Sequence, residues 1–252
     1  MEEYTAFAKI YDEFMDNVDY GSWCARIVDI LKEHGVENGL VLDLGCGTGT
    51  LTEMLSKAGY DMTGIDSSDE MLQKAIEKRD ISKEDILYLC QDMREFELYG
   101  TMAAVVSACD CLNYIIEKEE LLQVFKLVNN YLDPGGIFIF DFNTRGKYEK
   151  IGSDSIAEAR DDAAFIWENY YDEQEALNEY QLTLFIKEKD DIYKRYEEYH
   201  VQRGYELGEI KELLNEAGMD FLAAFDGYTE EKVSENSDRI VVVAREKGKS
   251  VE

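Results

Sequence analysis

Asp43-Leu44-Gly45-Cys46-Gly47-Thr48-Gly49, followed by Gly64-Ile65-Asp66, is where residue types and spacing in this sequence can do chemistry. The three glycines let the backbone turn tightly and come close to a ligand. Val41, Leu42 and Leu44 read as a short buried strand feeding that turn, and Leu51, Met54 and Leu55 as the helix leaving it. A strand–turn–helix of this kind, with an acid at the end of the next strand, describes an adenosine-type pocket at the carboxyl edge of a parallel sheet. A dinucleotide fold usually carries G-x-G-x-x-G, whose amides and helix start face a pyrophosphate. Here the spacing is G-x-G-x-G, and Asp43 precedes it. A carboxylate in that place repels phosphate and suits a cationic amine. Asp66 suits the two hydroxyls of a ribose, because a carboxylate accepts two hydrogen bonds. S-adenosylmethionine has that combination: an amine, a ribose and no phosphate.

The elements that must hold these residues can be followed along the chain. Asp61–Asp66 reads as a second strand, with Ser67 or Ser68 capping a helix whose Met71, Leu72, Ala75 and Ile76 face inward. Ile86–Leu89 and Ala103–Ser107 read as third and fourth strands. Asp133-Pro134-Gly135-Gly136 is a turn before a fifth strand, Ile137–Asp141, and holds the chain's one proline. Residues 207–217 form a helix with Ile210, Leu213 and Leu214 inward. Phe221, Ala223 and Phe225 mark a sixth strand and Ile240–Ala244 a buried seventh. The charged tail from Arg245 is expected to fray.

In this order, D-L-G-C-G-T-G and the acid after it resemble motif I of the class I S-adenosylmethionine-dependent methyltransferases. The resemblance covers residues 36–145 well and the rest more loosely. It implies a Rossmann-like α/β fold with a seven-stranded, mostly parallel sheet. It implies cofactor contacts from Asp43, Gly45, Cys46 and Gly47, then Asp66, Ser67 and Met71. Gln91-Asp92-Met93 resembles the position where an acid meets the adenine amino group and the next residue covers the ring. Ser107, at the end of the fourth strand, and Cys109, in the loop after it, complete the implied cofactor set. Asn113 and Tyr114 lie where family members place acceptor contacts.

Two regions depart from the minimal fold. Tyr4, Phe7, Ile10, Tyr11, Phe14 and Met15 recur at helical spacing, predicting a helical lid over 4–20. Tyr11 can close over the methionine end of the cofactor, and as a phenol it is also a candidate near the reacting groups. Ser22 is the expected N-cap of the next helix, and His34 is expected to favour that helix's C-terminus. Residues 146–204 contain Phe165–Tyr171, Tyr180–Ile186 and Ile192–His200, with alternating and aromatic character. They predict a small antiparallel sheet inserted after the fifth strand, with Glu188–Asp191 as a polar connection. The insert is similar to sheets that roof the substrate cavity or form a dimer interface in glycine and aminosugar N-methyltransferases. The chain thus divides into 1–145 with 205–252, the cofactor domain, and 146–204, a substrate or dimer subdomain.

His200, near the end of that sheet, is the leading general base because an imidazole titrates near neutral pH. Arg203 either binds an acidic acceptor or ties the insert to a neighbouring carboxylate. The formal charge of −29, from 55 acids against 26 Lys and Arg, disfavours a nucleic-acid partner. Five cysteines outside any loop framework read as reduced and cytoplasmic. Two histidines and the Cys109-Asp110-Cys111 spacing give no zinc site. No apolar run approaches roughly 18 residues, so no membrane span is expected. The resulting expectation is an enzyme that methylates nitrogen or oxygen of a small molecule, as a monomer or a homodimer through the insert. The alternatives are a protein or RNA methyltransferase, and a non-catalytic regulator that binds the cofactor.

Overall fold

A computed structural model describes Tyr4 and residues 6–249. In chain order the helices and strands begin with α1 (Tyr11–Phe14), α2 (Tyr20–Glu33), β1 (Leu40–Leu44), α3 (Thr50–Lys57) and β2 (Asp61–Asp66). Next come α4 (Asp69–Ser82), β3 (Ile86–Cys90), β4 (Met102–Ser107), α5 (Lys118–Tyr131) and β5 (Leu132–Asn143). After α6 (Arg145–Ile151) run β6 (Ser155–Ala159), β7 (Ala163–Asp172), β8 (Leu177–Lys189) and β9 (Ile192–Arg203). The chain then returns through α7 (Leu207–Glu216), β10 (Met219–Asp226) and β11 (Arg239–Glu246).

Seven strands make one sheet in the order β10-β11-β5-β4-β1-β2-β3. β5, β4, β1, β2 and β3 pair in parallel, and β11 runs antiparallel to β5 and β10. Strand order reverses between β1 and β4, so a crevice opens there at the strands' carboxyl ends. Both faces are covered. Leu42, Leu44, Val105, Phe138 and Phe140 pack on α5 and α7. Val41, Ala104, Val106, Ile139 and Val243 pack on α2 and α3. Near-continuous apolar strands follow from that double burial.

The second sheet, β6-β7-β8-β9, is antiparallel and lies in sequence between β5 and α7. Its Ala163, Leu182 and Leu184 pack against Phe7, Ile10 and Phe14 of the N-terminal segment. That packing explains one departure from expectation. The segment is not a single helix over 4–20 but a 3-10 turn at Phe7–Lys9, then the one-turn α1, then α2. It bends so that Phe7, Ile10 and Phe14 reach the insert while Asp12 turns toward the glycine turn.

Other corrections are local. Asp19, not Ser22, caps α2, accepting from Ser22 N at 3.0 Å. His34 sits at the C-cap of α2, but its Nδ1 faces Arg245 Nη2 at 3.2 Å. Burial and that guanidinium lower the imidazole's pKa, so Arg245 supplies the positive charge there. Ser68 is the cap of α4, and Ile76 on that helix is exposed, not inward. The Asp133–Gly136 turn lies within β5 as a bulge, where Met102 pairs with Leu132 and Ala104 with Ile137. The polar connection of the insert shrinks to Asp190 and Asp191, because β8 runs through Lys189. Arg245 and Glu246 do not fray: they end β11, and Glu246 accepts from Gly135 N at 2.7 Å. α6 and β6 were not expected. All five residues of β6 are exposed, so it carries no apolar alternation to read.

Candidate active site

The glycine turn is shaped by its own backbone. Gly45 N and Cys46 N donate to Ile65 O at 2.8 and 2.9 Å, seating the turn on β2. Gly45, Gly47 and Gly49 all have positive φ, of 83°, 53° and 76°. A Cβ on Gly45 would lie 2.6 Å from Cys111 Sγ, and one on Gly49 2.4 Å from Tyr88 Oη. Gly47 would meet nothing within 4 Å, which leaves its face open to the crevice. Its N–H donates to Asp66 Oδ2 at 2.8 Å while Ser68 N donates to Oδ1 at 2.9 Å. Asp66 is thereby fixed at the end of β2, and burial pushes its carboxyl upward in pKa.

Asp43 is 2 % exposed and accepts from Thr52 Oγ1 of α3 at 2.6 Å. Burial, with a smaller push from Asp66, raises its pKa to about 7 against the pull of that hydroxyl. A cation brought beside Asp43 would restore its charge.

These groups line a cavity of about 870 Å³ at the switch point between β1 and β4. The fold brings together there Asp43, Gly45, Cys46, Gly47, Asp66, Ser67 and Met71, and from the other wall Asp92, Met93 and Cys109. Tyr11 and Tyr114 line it as well, with Tyr4 and Tyr20. Asp92 is held by Arg94, whose Nη2 lies 2.5 Å from Oδ2, and Arg94 also reaches Glu120 at 3.3 Å. Arg94 is the one basic side chain on this wall among the described residues, against Asp43, Asp66, Asp69, Glu70 and Asp92.

Three expected site residues do not line the cavity. Ser107 is buried and donates to Leu44 O at 2.7 Å, tying β4 to β1. Asn113 is 0 % exposed and accepts from Asn143 N at 2.8 Å. Its amide donates to Asn143 O and Arg203 O at 3.0 and 2.6 Å, so it joins β5 to β9. His200 is 1 % exposed and stands behind the wall. Its Nδ1 is 3.3 Å from Tyr114 Oη, and its ring stacks on Tyr180 at 4.8 Å. Its Nε2 is 3.3 Å from Glu198. Arg203 ties the insert down, reaching Glu209 at 2.9 Å and Ile116 O at 3.2 Å.

Sequence reasoning missed several groups that shape this wall. Glu198 accepts from Tyr4 N, Ala6 N and Phe7 N at 3.1, 2.7 and 3.0 Å. Burial raises its pKa, but His200 and the N–H groups of Phe7 and Ala6 outweigh that and hold it below the usual carboxylate range. Thr48 Oγ1 donates to Asp12 Oδ1 at 2.6 Å, and Lys78 pairs with Asp12 at 2.6 Å, so the N-terminal segment is also anchored on the glycine turn. Asp141, an acid inside the buried run Phe140–Phe142, accepts from Cys109 N and Asp110 N at 3.0 and 2.6 Å. It holds the loop after β4, where Cys109 and Asp110 have φ of 67° and 53°. A lone acid in an apolar strand was a readable signal for it.

Residues 41–136 match the family model described as a methyltransferase domain. A putative methyltransferase of Geobacillus sp. is 34 % identical over 244 residues, covering 96 % of this chain and 99 % of the relative. The chain belongs to the class I S-adenosylmethionine-dependent methyltransferases. A solved S-adenosylmethionine-dependent methyltransferase from Clostridium acetobutylicum superposes with a TM-score of 0.88 at 31 % identity, covering 98 % of this chain and all of that one. A Streptomyces venezuelae relative is 31 % identical over 136 residues, 53 % of this chain and 56 % of its own length. That protein is named a dTDP-3-amino-3,4,6-trideoxy-alpha-D-glucopyranose N,N-dimethyltransferase.

S-adenosylmethionine is therefore the methyl donor of this enzyme, and the cavity's chemistry fits it. A wall of carboxylates with one guanidinium, already paired, favours an ammonium and a sulfonium over any phosphate. The absence of a side chain at Gly47 leaves room for a ligand against the turn. No helix among the described residues is long and apolar enough to cross a membrane.

Proposed function

We propose that this methyltransferase methylates a nitrogen or oxygen of a small molecule enclosed between the glycine turn and a wall of tyrosines. The observation that carries the reading is how one side of the cavity is walled. Tyr4 and Tyr11 come from the N-terminal segment, which the insert's Glu198 holds by its backbone, and Tyr114 comes from the loop after β4. A polymer would need that wall displaced, and among the described residues Arg94 is the one basic side chain lining the cavity. The S. venezuelae relative, by its name a sugar N,N-dimethyltransferase, supports the same class of acceptor.

In this reading Asp66 takes the ribose hydroxyls and Asp43 faces the ammonium of the methionine part. Gly45, Cys46, Gly47, Ser67 and Met71 shape the adenosine side, while Asp92 and Met93 meet the adenine. Cys109 and Tyr11 border the methyl-bearing end. Bound S-adenosylmethionine supplies a methyl carbon already activated by its sulfonium. The chain's task is then alignment of the acceptor, and removal of a proton where the acceptor sheds one. His200 is linked to the cavity by hydrogen bonds through Tyr114 and Tyr4. With Nε2–H donated to Glu198, its Nδ1 accepts from the Tyr114 hydroxyl, so a proton taken at Tyr4 Oη can pass through Tyr114 to His200.

The insert, residues 146–204, is read as the acceptor subdomain, with its outer face available to a second copy. The five free cysteines fit a reducing, cytoplasmic setting. The test is methyl transfer from labelled S-adenosylmethionine to a cell extract separated by ultrafiltration. Label should appear in a filtrate species other than S-adenosylmethionine, resolved from it by chromatography, and only when the enzyme is present. Label confined to retained protein or RNA would overturn the small-molecule reading.

A further inference from the structure

Four phenols make the acceptor-side wall, and their arrangement carries information beyond enclosure. The Tyr4 ring lies 6.1 Å from Tyr11 and 5.8 Å from Tyr114, both edge-on. Tyr20 continues the wall, with its hydroxyl 3.7 Å from Cys109 Sγ. Burial raises the pKa of Tyr4, Tyr11 and Tyr114 well above the ordinary phenol value, so these rings are neutral. No lysine or arginine lines this part of the cavity among the described residues, since Arg94 belongs to the adenine side and is paired.

From this juxtaposition we infer that the acceptor group is an amine, which reacts as the neutral base in a tyrosine cage that holds its methylated product as a cation. The inference deepens the small-molecule reading and rests on it for the location of the acceptor. Aromatic faces attract an ammonium within about 6 Å of the ring centroid, more strongly where water is excluded. They offer nothing comparable to a carboxylate, a phosphate or a second alcohol. The cage also meets the change of charge in the reaction. As the nitrogen–carbon bond forms and the carbon–sulfur bond breaks, the sulfonium becomes a neutral sulfide. The positive charge passes to the acceptor nitrogen, so it crosses from the carboxylate wall to the tyrosine wall.

The proton has a destination. A secondary or tertiary ammonium formed in the cage can give its proton to Tyr4 Oη while the Tyr4 proton passes to Tyr114 Oη at 2.6 Å and the Tyr114 proton to His200 Nδ1. The imidazolium then faces the Glu198 carboxylate at 3.3 Å. No oxidant or further reactant is needed.

The test requires no knowledge of the natural acceptor. Tetramethylammonium chloride and neopentyl alcohol share a core of four carbons around a central atom and differ in charge, the alcohol adding one hydroxyl. Their affinities for the enzyme saturated with S-adenosylhomocysteine can be compared by calorimetry. Tetramethylammonium should bind about tenfold more tightly. Equal affinity, or preference for the alcohol, would overturn the cage. Tyr114→Phe, which keeps the ring, should preserve the preference within about threefold, and Tyr114→Leu should remove most of it. If Tyr114→Leu does not fold, Tyr11→Leu serves, and a preference unchanged by loss of the ring would sink the assignment. Label found only in macromolecules would remove the small-molecule reading and leave a positive cage result standing. Preference for the alcohol would do the reverse.

Discussion

The two walls of this cavity are built on opposite plans. The cofactor wall is local: residues 43–49 and 66–71 are close in sequence, and backbone atoms do much of the shaping. The tyrosine wall, the proposed acceptor side, is assembled from distance. Tyr4, Tyr114, Tyr180 and His200 meet only because the insert folds back over the N-terminal segment. A wall shaped by main-chain turns tolerates many side chains and keeps one ligand. A wall made of converging side chains can change its ligand by substitution without disturbing the turn.

Four experiments press on that difference, the first hardest. Glu198→Ala removes a buried carboxylate from three N–H groups and an imidazole. It should cost roughly 3 kcal/mol of stability in denaturant unfolding. It should also speed release of S-adenosylhomocysteine, because Tyr4 O is tied to Ser68 beside Asp66 at 3.2 Å. A release rate unchanged in stopped flow would mean that the two walls are energetically separate.

Asp66→Ala should weaken S-adenosylhomocysteine by about 30-fold to 100-fold, or about 2–3 kcal/mol. The amides of Gly47 and Ser68 lose their acceptor along with the ribose. Unchanged affinity in calorimetry would remove Asp66 from the cofactor site.

The third effect is one of pH. Asp43 has a pKa raised to about 7, so it is mostly charged at about pH 8 and mostly neutral at about pH 6. An ammonium favours the charged form. Affinity for S-adenosylhomocysteine should therefore fall by up to about tenfold from pH 8 to pH 6. Asp43→Asn should flatten that dependence, and a slope of the opposite sign would refute the assignment. Smallest is Ser107→Ala, expected to cost about 1 kcal/mol of stability with cofactor affinity unchanged, because its hydroxyl joins two strands.

The sequence was most legible where structure depends on near neighbours. β2 matches the expected Asp61–Asp66, β1 adds only Leu40 to the expected strand, and the glycine turn follows it, since strand burial and glycine geometry are local. Thr52 and Arg94 went unread because each matters only through a partner, Asp43 or Asp92, brought to it by a turn. Glu198 was invisible for another reason. It stands among charged residues of both signs in β9, and nothing in its neighbours marks it as the one turned inward. Ser107, Asn113 and His200 had the right chemistry at plausible positions. Their side chains are spent on joining elements or backing Tyr114.

The bond from Tyr4 N to Glu198 spans 194 positions of chain. During synthesis, Phe7, Ile10 and Phe14 emerge first and have no sheet to cover them until the insert has been made. Closing so long a loop is entropically costly and belongs late in folding. The parallel sheet can be complete while the tyrosine wall is still open, so a nascent molecule holds the framework for the methyl donor before that wall is assembled. In pulsed hydrogen exchange the amides of Ala6 and Phe7 should gain protection after those of β1 and β4. Simultaneous protection would argue that the insert folds with the core.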